Sequence, residues 1–212
     1  MPLILKREVA EGTLLGIWKI GEDAPWFRSQ LMLSEEEIKL IDGLHHPQRK
    51  LHWLSSRVLL RTLMQTDQFI HLESDATGKP VIRNFPVHLS ISHSADLSAL
   101  LISIRHEVGI DIEEIEDKIF RIQHKFATKE ELESLGAEIS AEQLYVIWCA
   151  KEAMYKLYGQ KQLNFKEHMS VLPFSTSIKG VVGGSIRKGS YTCELEISYE
   201  RVNGFMMAYV LQ

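Results

Sequence analysis

Between Pro47 and Met64, apolar side chains return every three or four residues (Leu51, Leu54, Val58, Leu59, Leu63). That spacing predicts a helix with one buried stripe. A second such stretch, Ala141 to Tyr158, carries Leu144, Ile147, Trp148 and Tyr155 and stops at Gly159, a residue suited to ending a helix. Ser34 with Glu37, and Thr128 with Glu131, are spaced as capping boxes. They open shorter helices toward Gly43 and over Lys129 to Leu135, with another expected from Phe120 to Phe126. Elsewhere the period is two. Leu3–Leu5, Thr13–Ile20, Val81–Ile82, Val87–Ser94, Ser98–Arg105 and Val108–Glu113 read as strands, as do Gly180–Ile186, Tyr191–Tyr199 and Phe205–Leu211. Turn signals at Glu11-Gly12, Asp75–Pro80, Lys188-Gly189 and Asn203-Gly204 separate them, and the last three strands form an antiparallel meander. Gly183-Gly184 suggests a bulge or bend. Each half of the chain holds strands and one long helix, with no repeat visible in the letters.

At 212 residues the chain can form one domain or two of about a hundred residues each. Its 45% hydrophobic and 25% charged content is that of a globular protein. A net charge of −4 argues against a nucleic-acid footprint spread over the surface. Cys149 and Cys193 stand far apart without a Cys-x-x-Cys, which fits a reducing compartment and argues against a disulfide framework or structural zinc. The first residues lack the apolar core of a signal peptide, and the longest apolar run, about Ala99 to Ile104, is too short to cross a membrane. A cytoplasmic protein that binds no membrane is expected.

Candidate chemistry gathers around Val108-Gly109-Ile110-Asp111-Ile112-Glu113. On a strand, Ile110 and Ile112 share one face and Asp111 and Glu113 the other. The acidic pair, about 7 Å apart along the backbone, can close on one hard cation or can simply be a wet face. Gly109 leaves room for a close approach. In Trp148-x-x-Lys151-Glu152-x-x-x-Lys156, Glu152 and Lys156 share a helix face as an ordinary ion pair or as part of a site. Arg49, Lys50, Arg57 and Arg61 are a solvated face or converge on an anion. Lys79 is a turn lysine or sits at a binding mouth, and Ser92-His93-Ser94 ends a strand as structure or as ligand contact. A serine hydrolase fits poorly, because Ser92 and His93 are adjacent and no Gly-x-Ser-x-Gly elbow occurs.

Gly78-Lys79-Pro80, Ser92-His93-Ser94, Gly109–Glu113 and Trp148-x-x-Lys151-Glu152-x-x-x-Lys156, in that order and spacing, resemble the 4′-phosphopantetheinyl transferase superfamily, Sfp type. The likeness spans about Arg49 to Lys156. It implies an α+β fold of two similar halves related by a pseudo-twofold, each an antiparallel sheet packed with one long helix. Residues 1–106 would take the nucleotide side of the coenzyme A site, and residues 107–212 the metal ligands and the carrier-protein groove.

The implied activity is Mg²⁺-dependent transfer of the 4′-phosphopantetheine arm of coenzyme A to a serine of an apo acyl or peptidyl carrier protein. Adenosine 3′,5′-bisphosphate is released, and the setting is fatty-acid or secondary-metabolite biosynthesis. The resemblance assigns Asp111, Glu113 and Glu152 to the metal, and Glu152, Lys156 and Asp111 to catalysis. It assigns Arg49, Arg57, Lys79, Pro80, Ser92, His93, Lys151 and Lys156 to coenzyme A. Phe126 to Glu131 would border the carrier groove, with Glu130 as a family acid, and the chain would act as a monomer. A binding module for coenzyme A or carrier protein without turnover, and a metal-dependent phosphodiesterase, are the rival readings. The complete acidic trio argues against the former.

Overall fold

The computed structural model describes residues 2–212. β1 (Leu3–Ala10) and β2 (Thr13–Lys19) form a hairpin turning at Gly12, whose φ of +69° suits glycine. Three helices follow: α1 (Ala24–Ser29), α2 (Glu35–Asp42) and α3 (Pro47–Met64). β3 (Leu72–Ser74) and β4 (Pro80–Ile82) make a separate two-stranded ribbon. β5 (His88–Ser94), β6 (Leu97–Ser103) and β7 (Val108–Glu114) lead into α4 (Ile119–Phe126), α5 (Lys129–Ser134) and α6 (Ala141–Tyr158). The chain ends with β8 (Met169–Val171), β9 (Lys179–Lys188), β10 (Tyr191–Val202) and β11 (Phe205–Leu211).

The strands make two principal antiparallel sheets, ordered β1-β2-β6-β5 and β7-β11-β10-β9-β8. Leu54, Leu59 and Leu63 of α3 pack on Leu89, Leu100 and Ile102 of the first sheet. Ile147, Ala150 and Met154 of α6 pack on Ile197, Met206, Ala208 and Val210 of the second. The alternate faces of both sheets meet in a third cluster, where Leu15, Ile17, Ala99 and Leu101 adjoin Ile110, Ile112 and Met207. The fold is thus α+β, with one long helix against each sheet.

Both long helices run over the expected spans, and α6 ends at Gly159 with a φ of +67°. Both capping boxes form: Ser34 and Glu37 exchange bonds, as do Thr128 and Glu131. Three short elements escape the pattern, since six residues in α1 and three each in β3 and β8 are too few to establish a period. The expected bulge at Gly183-Gly184 is absent, because β9 and β10 pair there without a break. A Cβ on Gly184 would lie 2.6 Å from Ile197 Cδ1 and 3.1 Å from Met154 Sδ, so glycine serves close packing there.

Gly109 governs how α6 meets β7. A Cβ there would fall 2.0 Å from the Ala153 carbonyl oxygen and 2.9 Å from the Leu157 nitrogen, both helix backbone. Gly109→Ala should therefore displace α6, at a cost of about 3 kcal/mol or more, read as a lower urea midpoint. A midpoint within error of wild type would show that the helix does not rest on this strand.

Candidate active site

The same alternation that buries Ile110 and Ile112 turns Asp111 and Glu113 toward α6. Asp111 is buried, 3% exposed. Its Oδ1 accepts from Ser92 Oγ and from Lys156 Nζ, each at 2.8 Å. Its Oδ2 is buried and has no protein partner. Glu113 Oε2 accepts from Ser94 Oγ at 2.7 Å. Glu152 stands on α6 one turn before Lys156, half-buried. Burial, then the charge on Asp111, then that on Glu113, push its pKa up to about 7, against the opposing pull of Lys156. Burial and Asp111 likewise raise Glu113.

These side chains suit a hard divalent cation by donor type and charge: oxygen ligands only, one buried oxygen unpartnered, and neighbours that resist ionising together. Among the described residues no three His, Cys, Asp or Glu side chains already stand as a closed ligand set. The fit is therefore one of chemistry and not of preformed coordination.

His93 closes another side. Its ring stacks on His52 of α3, with centroids 4.2 Å apart and planes 14° from parallel. Desolvation, then His52, lower its pKa from the usual histidine value, with Lys156 adding to the effect and Asp111 opposing it. His52 Nε2 meets the Ala95 carbonyl at 2.8 Å, tying the start of α3 to the β5–β6 turn. Arg49, exposed, lies three residues before His52 and so on its face of α3.

A cleft of about 260 Å³ opens beside Lys156. Gly78, Lys79, Pro80 and Ile91 wall it from one side, and Tyr155, Lys156 and Lys161 from the other. It shares Thr77, Lys79, Pro80 and Gly159 with a cavity of about 690 Å³. Lys79 Nζ is held there by Glu107 Oε2 (2.7 Å) and the Leu157 carbonyl (3.3 Å), a cation at a helix C-terminus.

Asp111, Glu113, Glu152, Lys156 and His93 are thus brought together, and Lys79 and Pro80 line the adjoining cleft. Others are placed elsewhere. Lys151, expected at the phosphates, is wholly buried and donates to the Phe126 carbonyl, Glu131 Oε2 and the Phe165 carbonyl, which exhausts its three protons. Adjacent helical residues diverge by about 100°, and the face carrying Glu152 cannot also carry Lys151.

Arg57, expected at coenzyme A, lies over the Trp53 ring, pairs with Glu37 at 3.4 Å and lines a different cavity with Leu31 and Leu60. Ser92 spends its hydroxyl on Asp111 and on the Ile112 amide, not on the cleft. Of the two readings of Glu152 and Lys156, the lysine's bond to Asp111 of β7 favours a site over an ordinary helical ion pair. Little in the sequence marks His52 as a neighbour of the site, or Glu131 as a buried acid whose carboxylate also receives the Thr128 and Val171 amides. Their one signal was position: His52 in the helix stripe, Glu131 in a capping box.

Lys151→Ala should cost about 3–5 kcal/mol by stranding a buried carboxylate, read by urea unfolding; unchanged stability would return Lys151 to the list of free cations. A second expectation concerns pH. Folding raises the Glu152 pKa from its ordinary 4.5 to about 7. Its contribution is therefore complete below about pH 4.5 and is lost as the pH rises through about 7. Without divalent cations, wild type should lose more stability than Glu152→Gln between about pH 5 and 8. Parallel curves would remove Glu152 from the acidic cluster.

The model of a family described as the 4′-phosphopantetheinyl transferase superfamily matches residues 107–210. The chain is 31% identical over 137 residues to the 4′-phosphopantetheinyl transferase AcpT of Salmonella typhi, a match covering 61% of this chain and 70% of that protein. It is 30% identical over 159 residues to a protein of Synechocystis sp. provisionally named for the same activity, covering 68% of this chain and 64% of the relative. With the transferase psf-1 of Bacillus pumilus it shares 35% over 95 residues, 43% of this chain and 40% of the other. The chain thus spans a little under two thirds of the Synechocystis relative and well under half of the Bacillus one. The acidic strand and the whole of α6 lie inside the matched region, and the chain belongs to the 4′-phosphopantetheinyl transferase superfamily.

Proposed function

We propose that this protein transfers the 4′-phosphopantetheine arm of coenzyme A to a serine of an apo acyl or peptidyl carrier protein in the cytoplasm, using Mg²⁺ and releasing adenosine 3′,5′-bisphosphate. The observation that carries this reading is the buried Asp111, with one oxygen unpartnered and the other held by Lys156, which itself lines the adjoining cleft, and with Glu113 and Glu152 close by. Asp111, Glu113 and Glu152 would hold the cation. A cation held there would supply positive charge to offset that of the pyrophosphate.

The rest falls to the chain's own side chains. Lys156 touches both Asp111 and the cleft, so its charge lies where phosphates would enter. The His93 ring presents an N–H to a phosphate oxygen, and exposed Arg49 adds a charge on the same side. Lys79 and Pro80 wall the nucleotide end. In this reading Glu152 takes the proton of the incoming serine, a role suited to a carboxylate whose proton affinity burial has raised toward neutrality. The nucleophile belongs to the partner, so no activated serine is required here. Residues 1–106 and 107–212 act as two halves with the cleft between them, and the α4–α5 junction, with Glu130 exposed, borders the carrier.

Incubation with Mg²⁺, coenzyme A and a panel of apo carriers should raise one carrier's mass by one phosphopantetheine arm. No change on any carrier would favour a binding module, and coenzyme A cleavage without carrier would favour a phosphodiesterase. Asp111→Ala should lower the transfer rate about 100-fold or more while the protein stays folded, since an unpartnered buried oxygen leaves with the side chain. A near-normal rate would remove Asp111 from the site.

A further inference from the structure

β5 and β7 are edge strands of different sheets, and they lie side by side without backbone pairing. Serine hydroxyls join them instead. Ser90 Oγ accepts from the Ile110 amide at 3.0 Å, Ser92 Oγ from Ile112 at 3.3 Å, and Ser94 Oγ from Glu114 at 3.2 Å. The rungs advance by two on both strands, so the strands run parallel. A hydroxyl has one proton and two lone pairs. The β7 amide takes a lone pair at every rung, and the proton remains to be placed. At two rungs it goes to the carboxylate one residue back: Ser92 to Asp111 at 2.8 Å and Ser94 to Glu113 at 2.7 Å. At the third, the residue one back is Gly109, which has no side chain to receive it.

We propose that Ser92 and Ser94 are positioning residues, whose hydroxyls hold one oxygen of Asp111 and one of Glu113 so that the other oxygen of each is left for the cation. The inference rests on the proposed function only in that a divalent ion is bound at these carboxylates. Oriented partners behind a metal ligand commonly account for 10- to 100-fold in affinity. The two serines are anchored to the strand that carries the carboxylates, so each bond fixes a side chain relative to its own backbone. Ser90 is a built-in control: it makes the same rung and holds no carboxylate.

The test is Mn²⁺ binding to the purified chain, followed by electron paramagnetic resonance without coenzyme A, alongside urea melts. Ser94→Ala should weaken Mn²⁺ binding about 10-fold or more, and Ser94→Thr, which keeps a hydroxyl, should restore most of it. Ser90→Ala should lose a comparable amount of stability and bind Mn²⁺ as wild type does. Should Ser94→Ala not fold, Ser92→Ala carries the same expectation through Asp111. Wild-type affinity in a folded Ser94→Ala or Ser92→Ala overturns the proposal, as does equal weakening by Ser90→Ala, which would assign the effect to the seam. A wild-type chain that binds no Mn²⁺ overturns the cation reading itself, and that outcome is told apart because it precedes any substitution.

Discussion

The contact between a helix and a bare strand position sets the rest in place. With no Cβ on Gly109, the backbone of α6 at Ala153 rests directly on β7. That intimacy brings Glu152 and Lys156 down to the level of Asp111 and Glu113. A larger residue would lift the helix and leave the two acids of the strand facing solvent, where an Asp-x-Glu carries no chemical meaning. The apolar face of the same strand, Ile110 and Ile112, is locked into the cluster between the sheets. The acidic pair therefore cannot rotate away from the helix.

Such an arrangement stores electrostatic tension. Three carboxylates and one ammonium meet around the buried Asp111, a formal excess of two negative charges if all are ionised. The fold meets part of this by having Lys156 cross to Asp111, and part by letting Glu152 keep its proton into the neutral range. Elsewhere the chain handles buried charge in the opposite manner. Lys151 and Glu131 are sealed against each other and against backbone groups with every polar atom of the lysine engaged. One cluster is complete in the protein alone; the other has an oxygen to spare.

Much of this was legible in the letters, and for identifiable reasons. Long periodic runs make α3 and α6 legible at about their observed bounds, because eighteen positions sample a period several times. Alternation along Val108–Glu113 sorted core from acid correctly. What failed was direction in three dimensions. Lys151 and Glu152 are adjacent in sequence yet serve separate clusters, and Arg57 shares a helix with Arg49 but answers to Glu37 on α2. Ser-x-Ser-x-Ser was visible as a strand pattern, but only the placement of β5 against β7 shows that its hydroxyls span two sheets.

The divergence of Lys151 from Glu152 makes α6 intolerant of changes in length. Each inserted residue turns everything beyond it by about 100° and advances it by 1.5 Å. One extra residue between Ser140 and Lys151 would carry the lysine to the place Glu152 holds and the acid on to that of Ala153, against β7. In this chain the count of residues from the capping Ser140 to Lys156 is therefore set by the site, whereas the loops on either side of the helix carry no such constraint.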